Sequence, residues 1–403
     1  MSGLRILMVS PTPTHPQDAG NRARIYQLAE ELRSLGNELF FLYYGMEEAN
    51  IDGMRAYWGE RLVIIPGQAG APGSLKAGLE EGLRRIGLGR ILPSRRPSGV
   101  DDWYPPDLGE TALRLHSREK FHVVWIEYVF LSKTLSVFDS SVLKVIDTHD
   151  VFSHRFEMMT AQGIKPEWFA TTPEMEKKGL ARADRVVAIQ GQDAAFFQTL
   201  GLPRVVTIGH FARPHPHQGP PPRNRILFIA SDNSINLKAW ESFANQLVGR
   251  IEERLPGTSI RVAGRICRRI PESPRYEKVG VVEDLDALYA STTLAVNPAT
   301  WGTGLKIKTL EPLAYGRPVV TTPVGIQGLE EAENRGILVG RTPGEFLEHI
   351  ERLLTQPLYW EEQRRSTQDF VTDYLQRNRR RLSDLLEVSG LSGRKEWGHD
   401  ESG

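Results

Sequence analysis

The chain has 403 residues, 40% of them apolar, and its 50 Lys and Arg are balanced by 50 Asp and Glu. That length exceeds the ~250–300 residues at which one hydrophobic core stops growing, so two or three domains are expected. Zero formal charge removes the global drive toward nucleic acid, and the single cysteine, Cys267, excludes an internal disulfide framework or a Cys-rich zinc site. With no signal-type apolar core and no apolar run of about 18 residues, the expectation is a soluble cytoplasmic protein.

Residues 4–9 form a short, continuously apolar run of the buried parallel-strand type. A turn-rich loop follows, and then Ile25, Leu28, Ala29, Leu32 and Leu35 recur at helical spacing before Gly36, a C-terminal cap. Residues 39–44 are the next strand, which completes a β-loop-α-β unit and predicts a parallel sheet. Further strands are expected at 61–65, 123–126, 144–147, 185–189 and 204–208. The Gly/Pro-rich stretch 66–106, with a short helix at 75–86, reads as a surface excursion. Asp147, Thr148, His149 and Asp150 lie just past a strand end, where ligands collect in open α/β sheets.

Five prolines, Pro214, Pro216, Pro220, Pro221 and Pro222, make 212–223 the best linker in the chain. After it the rhythm restarts. Strands are expected at 225–229, 259–263, 276–281, 294–296, 318–321 and 336–339, and helices near 240–251, at 284–290, 307–315 and 343–354. The tail 360–387 reads as one or two helices. The organisation expected is a first α/β domain (1–211), the linker (212–223), a second α/β domain (224–360), terminal helices (361–388) and a disordered tail (389–403). The crevice between the domains is the expected site.

The most informative stretch is 302–320, GTGLKIKTLEPLAYGRPVV. A strand ends at Asn297, a glycine-containing loop follows, and a helix starts near Ile307. Free N–H groups at that helix start form a phosphate cradle. Gly302 and Gly304 let the backbone approach a diphosphate. Lys306 and Lys308 add positive charge, and Glu311 can accept hydrogen bonds from vicinal sugar hydroxyls. A purely structural βα turn has the same outline.

This run resembles the donor-site motif of retaining glycosyltransferases of the GT-B fold, the group 1 or family-four class. The resemblance implies two Rossmann-like domains facing each other across a cleft, with C-terminal helices crossing back to the first domain. It implies that Glu311 binds the ribose of a nucleotide sugar, while Gly302, Thr303, Gly304, Leu305, Lys306 and Lys308 hold the donor. The family's paired glutamate falls on position 303, where this sequence has Thr303.

Other segments extend the likeness. Residues 4–38 are similar to the family's first β-loop-α, with Gly20 at its glycine loop and Arg22 and Arg24 as anion contacts. His149 and Asp150 resemble its "HD" element, whose histidine lies near the transferred sugar. Ser231 is similar in position to a loop facing the diphosphate, with Lys238 a looser match, and Val281 falls in the segment lining the base pocket. The resemblance implies sugar transfer with retention, from a nucleotide sugar to a glycan or glycolipid acceptor, without cofactor or metal. Cell-surface polysaccharide assembly, with peripheral contact at the inner face of a membrane, is the context it suggests. A sugar-nucleotide epimerase, a phosphorylase or a non-catalytic partner subunit shares the architecture, and Thr303 favours the last of these.

Some features read as bland. Cys267 lies among arginines that could activate it, yet no motif surrounds it. Arg377, Arg379, Arg380 and Arg381 read as a solvated helix face or a membrane patch. Trp301 either stacks on a ligand or packs.

Overall fold

The structure, a computed structural model, describes residues 3–66, 97–161, 168–202, 204–215 and 224–387. The helix expected at 75–86, most of the proline linker and the tail from 388 lie outside them. The first part runs β1 (Arg5–Ser10), α1 (Gly20–Ser34), β2 (Glu38–Tyr44), α2 (Ile51–Trp58), β3 (Leu62–Ile65), α3 (Leu108–Glu119) and β4 (Val123–Glu127). It continues through a 3-10 segment (Val129–Val137), β5 (Leu143–Asp147), α4 (Phe152–Ala161), α5 (Pro173–Leu180), β6 (Arg185–Ala188), α6 (Gly191–Thr199) and β7 (Val205–Thr207).

All seven strands are parallel, in the order β3-β2-β1-β4-β5-β6-β7. Every residue of β4 is buried, and so are the last five of β1, which is why these strands read as unbroken apolar runs. The edge strands β3 and β7 are half-buried.

The second part runs β8 (Arg225–Ile229), α7 (Ser234–Phe243), a π turn (Ala244–Val248), α8 (Gly249–Arg254), β9 (Ser259–Ala263), β10 (Glu277–Gly280) and α9 (Leu285–Ala290). It ends with β11 (Leu294–Asn297), α10 (Ile307–Ala314), β12 (Val319–Thr321), β13 (Ile337–Val339), α11 (Pro343–Thr355) and α12 (Pro357–Glu387). Its six parallel strands are ordered β10-β9-β8-β11-β12-β13. The helix expected near 240–251 is thus two α-helical pieces joined by the π turn. In each sheet the strand order reverses once, between β1 and β4 and between β8 and β11. Open parallel sheets bind ligands beyond the carboxyl ends of the strands at such a reversal.

The terminal segment is a single 31-residue helix that returns to the first domain. Trp360 lies against the second domain, donating its indole N–H to the Thr293 carbonyl. Farther along, Arg379 makes two hydrogen bonds to Glu31 of α1, and Asn378 accepts from the Gly209 N–H. Leu375, Leu382 and Leu385 are buried in a hydrophobic cluster that runs from α1 through α10 to α12. Burial of each such leucine stabilises the fold by about 1.5–3 kcal/mol. The arginine cluster is therefore a tether: Arg377 pairs with Glu331, Arg379 with Glu31, and Arg381 donates to the Thr207 carbonyl. Among the described residues no helix is long and apolar enough to cross a membrane.

Candidate functional site

Two helices begin at the same place from opposite sides of the cleft. Gly20 opens α1 and Ile307 opens α10; a Cβ on Gly20 would stand 3.3 Å from the Ile307 side chain. Unpaired N–H groups and the positive dipole ends of both helices thus converge on one small volume. Neither helix has a side-chain cap from the residue before its start; the Arg22 N–H is taken by Asn21 Oδ1 and the Thr309 N–H by the Lys306 carbonyl, so the N–H groups ahead of these two are the ones an anion could meet.

The loop 302–306 closes over the first domain. The Thr303 hydroxyl donates to Asp150 Oδ2 at 2.9 Å. Gly304 has φ +70°, and a Cβ there would come within 3.3 Å of the His149 carbonyl oxygen. Only glycine enters that backbone region without strain, and here the neighbour is also close. Lys306 Nζ folds back onto the Thr303 and Gly304 carbonyls at 2.9 and 2.7 Å. Leu305 points the other way and joins the core, so only its backbone can face a ligand.

Two predicted residues, Lys308 and Ser231, are joined in one relay through Asn236, which the sequence did not single out. Lys308 donates to Asn236 Oδ1 at 2.5 Å, and Asn236 donates in turn to the Ser231 carbonyl and hydroxyl, both at 3.0 Å. This ties the loop after β8 to the start of α10. Burial lowers both Lys306 and Lys308 to about 8, against the opposing pull of Asp150 and Asp193 on Lys306 and with the Lys306 charge adding to the fall at Lys308. Two partly buried ammonium groups at the start of α10, next to the start of α1, favour an anion between them. Glu311, one turn into α10, has a buried Oε1 that makes no hydrogen bond of good geometry, and the equally unsatisfied Tyr289 hydroxyl is its polar neighbour. Burial pushes its carboxyl up to about 6, with the Tyr289 hydroxyl pulling the other way.

His149 and Asp150 follow β5. His149 has φ +60° and places Nε2 2.5 Å from Glu127 Oε2. Its ring stacks on Tyr128, centroids 4.1 Å apart. Glu127, Asp147 and His149 could reach a common ion, but Asp147 is already paired with Arg24, whose guanidinium would repel a cation. The donor set therefore fits a salt-bridged hydrogen-bond network better than an ion cage.

Some assignments need correction. Arg24 is not positioned as a donor contact: it is buried and donates to both Asp147 oxygens, at 3.0 and 2.9 Å, and to the Ile208 carbonyl. Its charge props up the strand ends beneath the cleft. Arg22 is likewise paired, with Glu47 and Asp18. Lys238 is exposed, its ammonium 5.5 Å over the Trp301 ring, so these two engage each other at the cleft margin. The bland reading of Cys267 stands: it is buried, with its thiol pushed up chiefly by desolvation. Val281 is half-exposed beside a cavity of about 490 Å³ that is also lined by Gly264, Arg268, Lys278 and Gly280.

Sequence reasoning missed several contributors. Glu127 and Tyr128 hold His149, and no motif marks them. Arg265 reaches across the cleft to Asp18 at 2.8 Å, a pairing over 247 residues. Gln192 bonds Glu330 across the same boundary. Asp193, pushed up to about 7 chiefly by burial, completes the charge environment of Lys306.

Residues 223–356 match the profile of a family described as glycosyl transferases group 1. No curated protein matches the sequence. The fold is shared with solved structures over nearly the whole of both chains. TarM superimposes with a TM-score of 0.70 at 9% identity, covering 96% of this chain and 98% of its own. Sucrose-phosphate synthase from Thermosynechococcus elongatus gives 0.66 at 15% identity, covering 97% and 100%. HepE from Anabaena, in complex with UDP and glucose, gives 0.65 at 12% identity, covering 96% and 100%.

Proposed function

We propose that this chain, which has the GT-B fold and whose residues 223–356 match the profile of the group 1 glycosyl transferases, is a glycosyltransferase that moves a sugar from a nucleotide donor to a glycan or glycolipid with retention of configuration. One observation carries the reading. Two uncapped helix starts, Gly20 and Ile307, meet across the cleft beside Lys306 and Lys308, with the buried Glu311 carboxyl oxygen one turn away.

The diphosphate lies between the helix starts. As the glycosidic bond breaks, negative charge grows on the leaving nucleotide, and preorganised N–H groups and the two ammonium groups stabilise it. These groups supply the charge that a metal would otherwise bring, so transfer proceeds without one. Glu311 accepts from ribose hydroxyls, and Ser231, through Asn236 and Lys308, sets the edge of the phosphate site. The base occupies the cavity at Val281. His149 and Asp150 face the transferred sugar, and the acceptor enters over the first domain, attacking from the face the nucleotide leaves. The UDP in the HepE structure makes UDP-sugars the first donors to try. The resemblance supports a cytoplasmic setting in the assembly of cell-surface polysaccharide or another glycoconjugate.

Nucleotide release should be measured without added metal against a panel of UDP-, GDP-, TDP- and CMP-sugars, comparing the wild type with Glu311→Ala. Turnover or slow donor hydrolysis with one sugar, abolished by the substitution, supports the reading. Binding without turnover, even with lipid and glycan acceptors, would instead favour a nucleotide-binding partner subunit, the alternative that Thr303 suggests. Isomerisation of the sugar nucleotide would favour an epimerase.

A further inference from the structure

Arg265 belongs to the second domain but hydrogen-bonds to the first. It follows β9 directly, through Gly264. Because β9 pairs with β8, Ala263 against Ile229, Arg265 stands at the carboxyl end of the sheet, one strand from the reversal between β8 and β11. Gly264 (φ +92°) lies so close to Ala230 that a Cβ would stand 2.2 Å from the Ala230 carbonyl oxygen. Only glycine allows both that backbone conformation and that approach. The same oxygen accepts from the Ile266 N–H at 3.2 Å, so the turn carrying Arg265 is pinned to the loop that begins at Ser231. Gly264 also lines the cavity at Val281, while the Arg265 side chain reaches Asp18, two residues before α1 opens. The residue thus bridges from the cavity wall to the helix starts.

The pairing is redundant on both sides. Nη1 donates to Asp18 Oδ2 at 2.8 Å, and Nε stands 3.4 Å from Asp232 Oδ1 in its own domain. Asp18 is held in turn by Arg22 at 3.2 Å, and Arg22 also pairs with Glu47 at 3.0 Å. Breaking the bond across the cleft therefore isolates neither charge: Arg265 keeps Asp232, and Asp18 keeps Arg22. The side chains of Arg265, Asp18 and Asp232 are 27%, 21% and 35% exposed, and ion pairs this open to water stabilise little. A diphosphate is the stronger partner. Its oxygens match the guanidinium fork, and the two existing contacts leave donors among the five N–H groups.

We infer that Arg265 is a donor-binding residue held ready by Asp18, and that the diphosphate of the nucleotide donor takes the place of Asp18 on the guanidinium. This rests on the glycosyltransferase reading of the same cleft. The exchange converts a bond between the domains into a bond with the ligand. In the empty cleft Asp18 and Arg265 latch the domains together; in the loaded cleft the diphosphate joins them, with Arg265 on one side and the start of α1 on the other.

The test is calorimetric titration of the metal-free full chain with whichever of UDP, GDP and TDP the wild type binds most tightly. The proteins compared are the wild type, Asp18→Asn, Arg265→Gln and the double variant. Arg265→Gln should weaken binding about ten- to hundredfold. Should it fail to fold, Arg265→Lys keeps the charge, loses the fork and should still weaken binding severalfold. Asp18→Asn should strengthen binding about two- to fivefold, because the competitor for the guanidinium is gone. That gain should vanish once Arg265 is also replaced. Affinity unchanged or lowered in Asp18→Asn overturns the exchange. So does a gain that survives in the double variant, since it would report plain repulsion between Asp18 and the ligand. Wild-type affinity in Arg265→Gln overturns the role of Arg265 itself. If the wild type binds none of the three nucleotides, the functional reading fails, a result distinct from tight binding that is indifferent to both substitutions.

Discussion

Thr303 of the second domain donates its hydroxyl to Asp150 of the first, 2.9 Å away across the cleft. The contact stands at the position where the family's paired glutamate would lie, so the departure from the motif has a structural counterpart on the opposite domain. Beside it, Gly304 rests on the His149 carbonyl, and Arg265 pairs with Asp18. These contacts hold the two halves together around the helix starts.

Removing the Thr303 hydroxyl should loosen that closure. Thr303→Val keeps the shape and deletes a charge-assisted hydrogen bond of about 1.5–3 kcal/mol. The expected outcome in steady-state kinetics is a donor KM raised about tenfold, with the melting temperature within a few degrees of the wild type. An unchanged KM would separate the contact from donor closure.

Donor affinity should have a pH window. Glu311 sits near 6 and accepts ribose hydroxyls more strongly once ionised, so affinity rises as pH passes upward through about 6. Lys306 and Lys308 sit near 8 and lose charge above it, so affinity falls as pH passes through about 8. Their effect on folding has the opposite sign. With folded values depressed below the ordinary lysine value, the unfolded chain binds more protons between about 8 and 10.4, so these two groups add stability as pH rises there. Calorimetric titration of a nucleoside diphosphate from pH 5 to 9 should show both limbs. Lys308→Met should remove much of the alkaline limb.

Arg24 and Asp147 should matter for stability rather than for the donor. Both are buried, with side-chain exposures of 2% and 0%. Breaking a buried pair by removing one partner costs about 3–5 kcal/mol, because a charge is left uncompensated. Arg24→Ala should therefore lower the urea midpoint sharply. Whatever fraction stays folded should bind nucleotide with nearly wild-type affinity, which would not hold if Arg24 were a phosphate ligand.

The terminal helix offers a second stability test. Leu382→Ala removes a fully buried side chain from the cluster shared by α1, α10 and α12, at a cost of about 2–5 kcal/mol. Arg379→Ala takes a half-exposed guanidinium away from the buried Glu31 carboxylate and should cost about 1–3 kcal/mol, less than the leucine change. Chemical denaturation of both variants should show that order.

What the sequence disclosed follows from how local each feature is. The grouping of a loop, a helix start, two lysines and Glu311 was legible because all of them occur within ten consecutive positions. The parallel strands were legible because burial on both faces makes them continuous apolar runs, as in β1, β4 and β8. Glu127 was not legible: its place beside His149 is set by the register of β4 against β5, which pairs it with Asp147. Arg24 was misread for a related reason. Its position in the segment resembling the family's glycine loop suggested an anion contact, while its partner Asp147 lies 123 residues away. The arginines of α12 looked solvated because their partners, Glu31 and Glu331, lie far from them in sequence. Cross-cleft contacts such as Arg265 with Asp18 depend on how two domains meet, which no local pattern records.

The central claim is that the two helix starts and their lysines hold a nucleoside diphosphate with Glu311 on its ribose. The most direct measurement is the affinity of the metal-free protein for a nucleoside diphosphate, the matching monophosphate and the 2′-deoxy diphosphate, in the wild type and in Glu311→Ala. The account predicts that the diphosphate binds at least about tenfold more tightly than the monophosphate. It also predicts that the deoxy compound loses affinity in the wild type and loses nothing further in Glu311→Ala. Equal affinity for all three, or no nucleotide binding at any pH between 6 and 8, would contradict it.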